Sequence, residues 1–221
     1  MGHLHPRPED LPETFPVFPL TGALLLPRGR LPLNIFEPRY LALIEDALAT
    51  GRLFGMIQPD PQAPELATGP ALYRIGCLGR LSSFSETEDG RFLITLTGLI
   101  RFAVAAECPL QRGYRRVRAD FAGFAADLAT AAPSFDRPAL LAALRAYFAH
   151  RGMEANWEAI DSMADDALIT TLCMACPFEP AEKQALLEAP TLRARAQLLI
   201  SLIEMAIVDV RDGTHDRLAC H

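Results

Sequence analysis

The 221 residues are half apolar and 22% charged, with a formal net charge of −6. That is the make-up of a globular chain with ample core, in one large domain or two small ones. No stretch reaches the roughly 18 uninterrupted apolar residues of a membrane-spanning helix, and the start, MGHLHPRPED, carries neither a basic nor an apolar leader region. Five scattered cysteines form no disulfide framework, so reduced thiols, a cytoplasmic location and no membrane partner are expected. Residues 15–121 hold 12 arginines against 10 acids, and residues 122–221 hold 8 basic against 14 acidic side chains. Only Arg112, Arg115, Arg116 and Arg118 cluster, as solvent-facing charges on a strand, which disfavours nucleic acid as a partner.

Residues 1–14 read as a polar, Pro-rich arm. From Phe15 short apolar runs alternate with Gly and Pro, the texture of strands and turns. FPVFPL, LLLP and RLPLNIF are candidate strands, and their prolines assign them to edges or bends. In NIFEPRYLALIEDALATG, Pro38 suits a first helical turn, Glu37 sits at the positive end of the helix dipole, and Tyr40, Leu41, Ile44, Ala47 and Leu48 recur at helical spacing up to Gly51. LFGMIQ reads as a buried strand. Two longer strands flank TEDG, where Asp89-Gly90 signals a hairpin, and YRRVRADF adds a last strand.

An Ala-rich link, residues 122–135, leads into a helical half over residues 136–210, followed by a tail, 211–221. Candidate helices cover 138–150, 156–163, 165–176, 180–188 and a long closing helix from 192 to about 210, bounded by polar caps and by Pro or Gly. The fold class expected is α+β: a β barrel-like sheet over 15–121 with one inserted helix, then a helical bundle.

Several chemistries fail on composition. Of 21 basic residues one is a lysine, Lys183, preceded by Glu182 rather than by the glycine a phosphate-cradling loop requires. Its acidic neighbours Glu179 and Glu182 favour the charged amine, the wrong state for a general base, so a surface salt bridge is its expected role. Cys173 and Cys176 have CxxC spacing but apolar flanks and no second ligand pair, which reads as core cysteine. His215, Cys220 and His221 fall in the tail and carry no assigned site, and His150 reads as a cation at a helix C-terminus. No GxSxG or HExxH occurs, and no catalytic, metal or cofactor site is assigned.

The run FPVFPLTGALLLPRGRLPLNIFEPRYLALIEDAL resembles the opening of the Lon protease amino-terminal domain. The resemblance continues in order through LFGMIQ, YRIGCLGRL, DGRFLITLTGLIRF and YRRVRADF, and then through PFEPAEKQALLEAPTLRARAQLL, in which Glu182, Lys183 and Gln184 match the family's EKQ segment. It implies a PUA-like pseudo-barrel followed by helices, in a stand-alone bacterial protein without the ATPase and peptidase. It also implies a non-enzymatic recognition module for peptide or unfolded protein segments, working with a separate protease or chaperone. A small-molecule or RNA-binding regulator is the alternative, and a hydrolase ranks third.

Two sets of residues stand out for recognition. In IFEPRY, Glu37 and Arg39 are expected to tie the helix start to the barrel beside Pro38, while Phe36, Arg39 and Tyr40 could instead line a peptide groove. Arg80 and Arg101 lie on the strands joined by TEDG, each a solvated position. Phe84, Phe92 and Phe102 share that hairpin as core, or, if exposed together, as an apolar patch with a cationic rim.

Overall fold

The computed structural model describes residues 8–129 and 135–218, with side chains described up to Val208. Six strands come first: β1 (Thr14–Pro19), β2 (Arg30–Ile35), β3 (Leu53–Ile57), β4 (Ile75–Glu86), β5 (Phe92–Gln111) and β6 (Tyr114–Asp120), with helix α1 (Pro38–Ala49) between β2 and β3. A 3-10 helix (Ala122–Leu128) and helices α2 (Arg137–Arg151), α3 (Trp157–Ser162), α4 (Asp165–Ala175), α5 (Pro180–Glu188) and α6 (Leu192–Leu218) follow. The class is α+β.

The sheet runs β2-β5-β4-β3-β1-β6, and a further β5–β6 pairing closes β1, β3, β4, β5 and β6 into a ring with β2 appended to β5. Closure depends on the 20-residue β5, whose first half pairs with β2 and β4 and whose second half pairs with β6. Register shifts at Leu78/Gly79 and Val104/Ala106 let it bend. Asp89-Gly90 does turn the β4–β5 hairpin, with Gly90 at φ 78° and the Thr87 N–H donating to Arg91 O at 2.9 Å. The next hairpin turns on Arg112 and Gly113, both at positive φ.

Two strand expectations fail. β1 is no edge: it pairs parallel with β3 and antiparallel with β6 despite Pro16 and Pro19. Pro19 ends the strand, and the ladder resumes when the Leu20 N–H donates to Ile57 O at 3.0 Å. LLLP is not a strand but a loop that drives Leu24, Leu25 and Leu26 into the core at 2, 2 and 0% exposure. That loop lies so tightly on β5 that a Cβ at Gly98 would sit 2.0 Å from Leu26 O.

Strand alternation feeds two cores. Phe15, Val17, Ile57, Leu78, Ile100, Phe102 and Val117, drawn from all five ring strands, meet inside the barrel with Leu11. Leu11 belongs to the stretch read as a loose arm, whose end is therefore anchored. The outer face joins the helices in one continuous cluster that includes Phe54, Cys77 and Leu96 as well as Leu144, Ile169, Leu186 and Leu199. At about 25 cal/mol per Å² of apolar area buried, this shared cluster makes the helical half a support for the barrel rather than an appendage. Helix α6 runs to Leu218, past the expected end near 210.

Candidate functional site

Two concavities lie on the seam between barrel and helices. The β1–β2 loop, pinned by its three buried leucines, lifts Arg28 out at φ 66°. Its guanidinium reaches Asp166 of α4 at 3.3 Å and the Ala129 carbonyl at 2.6 Å. On either side of this bridge opens a cavity of about 430 Å³. The first is walled by Gly29, Leu31 and Pro32 from the barrel and by Thr170, Thr171 and Met174 from α4. The second is walled by Pro27, Asp127, the α5–α6 connection at Pro190 and Thr191, and the arginines 101, 193 and 195. Arg28, Asp166 and Thr170 belong to both.

Several polar groups along the seam are buried and bonded to one another. Arg101 is 4% exposed. Its Nε and backbone N–H donate to Asp127 Oδ2 at 2.9 and 3.0 Å, its Nη2 donates to Oδ1 at 2.8 Å, and its Nη1 donates to the carbonyls of Leu187 and Ala189 at 3.0 and 2.7 Å. This corrects the expected solvated position. Ile100 and Phe102 point into the barrel, so Arg101 points outward as alternation requires, but outward is where the helices lie. Asp127 comes from the Ala-rich link, whose residues 122–128 coil into the 3-10 helix.

The EKQ segment is the other half of the seam. Glu182 accepts from the Glu179 N–H at 2.8 Å in a capping box that starts α5. Lys183 makes no salt bridge among the described residues; its Nζ donates to Gly22 O at 2.8 Å, which corrects the surface role expected of it. Gln184, 3% exposed, accepts from Gln58 Nε2 at 3.2 Å and donates to Ile75 O at 3.0 Å and Glu188 at 2.8 Å. Gln58 in turn donates to Pro180 O at 3.0 Å and accepts from the Gly22 N–H at 2.9 Å. Together these bonds hold α5 against the β1–β2 loop and the start of β4.

The five residues singled out for binding do not share one groove. Phe36 is 62% exposed, with the Arg91 guanidinium 5.8 Å from its ring centre. Arg80 is exposed on β4 in register with Thr97, at the other end of the β5 ladder from the Phe92 that pairs with Ile35. Tyr40 is buried, its ring 4.1 Å from that of Phe18, and burial raises its phenol above the usual value. Arg39 and Tyr40 do border one small cavity of about 110 Å³ with Thr68 and Arg115. Glu37 and Arg39 pair with each other at 2.9 Å rather than with the barrel. What ties α1 to the barrel is Asp46, which accepts from Tyr114 at 2.6 Å, Arg112 at 2.7 Å and Gln111 at 3.1 Å. Those bonds, the Tyr114 bond above all, hold the Asp46 carboxyl below its usual range. Phe92 and Phe102 are core, while Phe84 is 39% exposed against Phe92, so of the phenylalanines in the conditional hairpin patch only Phe84 is exposed.

Two of the four clustered arginines are neutralised. Arg112 pairs with Glu45 and Asp46, and Arg115, 6% exposed, pairs with Glu107 at 2.6 Å and donates to Pro70 O at 2.6 Å, contrary to its reading as a solvent-facing charge. Cys173 and Cys176 are free and buried, and burial raises their thiols to about 12 and about 11. No group of three His, Cys, Asp or Glu that could hold a metal occurs among the described residues; Cys220, His221 and the His215 side chain lie outside them. No helix among the described residues is long and apolar enough to cross a membrane.

Arg28, Asp166, Arg193 and Arg195 escaped the sequence reading. Arg195 was within reach of it: Leu192, Arg195, Ala196, Leu199, Leu202 and Ile203 repeat at helical spacing, which puts an arginine on the buried stripe. The Arg28–Asp166 pair spans most of the chain and leaves no local signal.

The fold and its assembly have known counterparts. The Lon N-terminal domain protein from Xanthomonas campestris superposes with a TM-score of 0.59 at 22% identity, over 85% of this chain and 97% of that one. The N-terminal domain of Mycobacterium avium complex Lon protease superposes at 0.62 and 18% identity, over 86% and 98%. Lon protease 2 of Myxococcus xanthus is 27% identical over 88% of this chain, and Lon protease of Anaeromyxobacter dehalogenans is 26% identical over 88%. The chain spans about a quarter of their length, 24% and 23%. The family model of the ATP-dependent protease La (LON) substrate-binding domain matches residues 14–205, and the chain belongs to that family.

Proposed function

We propose that this protein is a non-enzymatic recognition module that takes peptide or unfolded protein segments into the cleft between barrel and helices, in the cytoplasm, for use by a separate protease or chaperone. The observation that carries this reading is the pair of adjoining 430 Å³ cavities. Each has a volume suited to side chains of a bound segment. Leu31, Pro32 and Met174 give the first an apolar wall, and methionine adapts its shape to varied side chains. The bridge dividing the cavities joins side chains that are 38 and 36% exposed, and such surface pairs contribute only about 0 to 1 kcal/mol, so it parts readily to join them.

Catalysis finds no support in the cleft. Its described lining contains no histidine, cysteine or serine, and its carboxylates Asp127 and Asp166 are engaged by Arg101 and Arg28. The family of the chain supports protein segments as ligand, and the pairing of Arg112 and Arg115 with acids leaves RNA a smaller footing. Fluorescence anisotropy with a permanently unfolded, carboxymethylated protein tests the reading. Thr171 is exposed and lines the first cavity. Thr171→Trp fills that cavity and weakens binding by roughly tenfold, about 1.4 kcal/mol; unchanged binding would place the ligand elsewhere.

A further inference from the structure

The second cavity holds more positive charge than the protein itself neutralises. Four guanidinium groups border it, from Arg28, Arg101, Arg193 and Arg195, with two carboxylates, Asp127 and Asp166. Asp166 is taken by Arg28, and both oxygens of Asp127 are taken by Arg101. Arg193 is exposed at the rim. Arg195 is 6% exposed; its Nε donates to Leu186 O at 2.8 Å, and its Nη2 is buried without any acceptor among the described residues.

Part of this arrangement is structural. Arg101 and Arg195 both donate to the last carbonyls of α5, where the helix dipole favours cations. That accounts for Nε but not for Nη2, nor for a second buried cation beside Arg101. Burial, and next the charge of Arg101, push the Arg195 guanidinium below its ordinary value, as expected of a cation short of a counter-charge. Leaving a charged donor buried without a partner costs more than leaving a neutral one unmet. Arg195 lines the cavity, and a counter-charge there meets its guanidinium once the side chain turns the enclosed Nη2 toward the opening.

We infer that this cavity is a carboxylate subsite, in which Arg195 and Arg193 receive a carboxylate of the bound polypeptide while the neighbouring cavity holds its apolar side chains. The inference rests on the peptide-binding reading above. A carboxylate presents two coplanar oxygens to the planar guanidinium fork, and one such group supplies the missing acceptor and the missing charge together. A bound water would supply only the acceptor.

Three labelled ten-residue peptides of one Leu-, Phe- and Ala-containing sequence test this with the full chain: a free C-terminal acid, its C-terminal amide, and the amide with one Ala replaced by Asp. The acid, the Asp-bearing amide or both should bind roughly tenfold more tightly than the plain amide, the scale of a hydrogen bond to a charged group. Preference for the acid alone assigns the subsite to chain ends, and preference for the Asp peptide assigns it to internal acids. Arg195→Gln should abolish the preference. Arg193→Gln, at an exposed position that does not endanger folding, should reduce it. Equal binding of all three peptides overturns the subsite and leaves the peptide reading standing, whereas no binding by any of them overturns both. Preference that survives both substitutions also overturns it.

Discussion

The start of α1 and the start of α5 use similar residues to different ends. At α1, Glu37 and Arg39 are part-exposed and pair with each other rather than bonding to the barrel. At α5, Lys183 and Gln184 reach across the seam, Gln184 only 3% exposed, to Gly22, Gln58 and Ile75. The difference lies in what covers the side chains. An exposed ion pair exchanges water for a partner of nearly equal value, whereas a buried polar group has no water to return to, so its partners become obligatory. The seam is therefore where polar side chains hold the molecule together, and the α1 rim is where they are free to change.

Substitutions rank along that contrast. Arg101→Ala should have the largest effect, about 3 to 5 kcal/mol measured by urea unfolding, because it strands Asp127 and two carbonyls in a buried site. A loss below 1 kcal/mol would mean that the seam is wetter than its burial indicates. Gln184→Leu leaves Gln58 and Ile75 O short of a partner and should cost about 1 to 3 kcal/mol, read as a lower thermal midpoint.

Asp46 lies between the two regimes, part-exposed but bonded to Tyr114, Arg112 and Gln111. Asp46→Asn should cost about 1 kcal/mol at neutral pH. The folded carboxyl is held below the unfolded value of about 3.9, so its contribution is fully present above that value and disappears as pH falls through the lower folded one. The stability gap between wild type and Asp46→Asn should therefore close on acidification below about pH 4, and a gap constant with pH would dismiss the carboxylate's role. Glu37→Ala should be smallest, at most about 0.5 kcal/mol, and should vanish in high salt. A cost comparable to that of Gln184→Leu would erase the distinction between rim and seam.

Much of the architecture was readable before any coordinates. Helical spacing and caps located α1 and the five later helices, the Asp89-Gly90 turn located the long hairpin, an apolar run located β3 and alternation located β6. The ordered motifs from FPVFPL to EKQALLE pointed to the family. What misled was any inference from one strand's alternation to solvent. Alternation says that Arg101 and Arg115 point away from the barrel interior, and is silent on whether a helix or a neighbouring loop lies there. The same limit made Lys183 a surface salt bridge and LLLP a strand.

The sequence by itself determined the local elements, the family and the lack of a phosphate-cradling loop motif in these residues, because propensity, spacing and residue type act over a few positions. Tertiary structure alone decided which polar groups are buried. It brought Arg28 to Asp166 and Arg101 to Asp127, opened the two cavities beside them, and left one arginine donor without an acceptor among the described residues. Those outcomes depend on contacts between residues far apart in the chain, for which a linear pattern carries no distance.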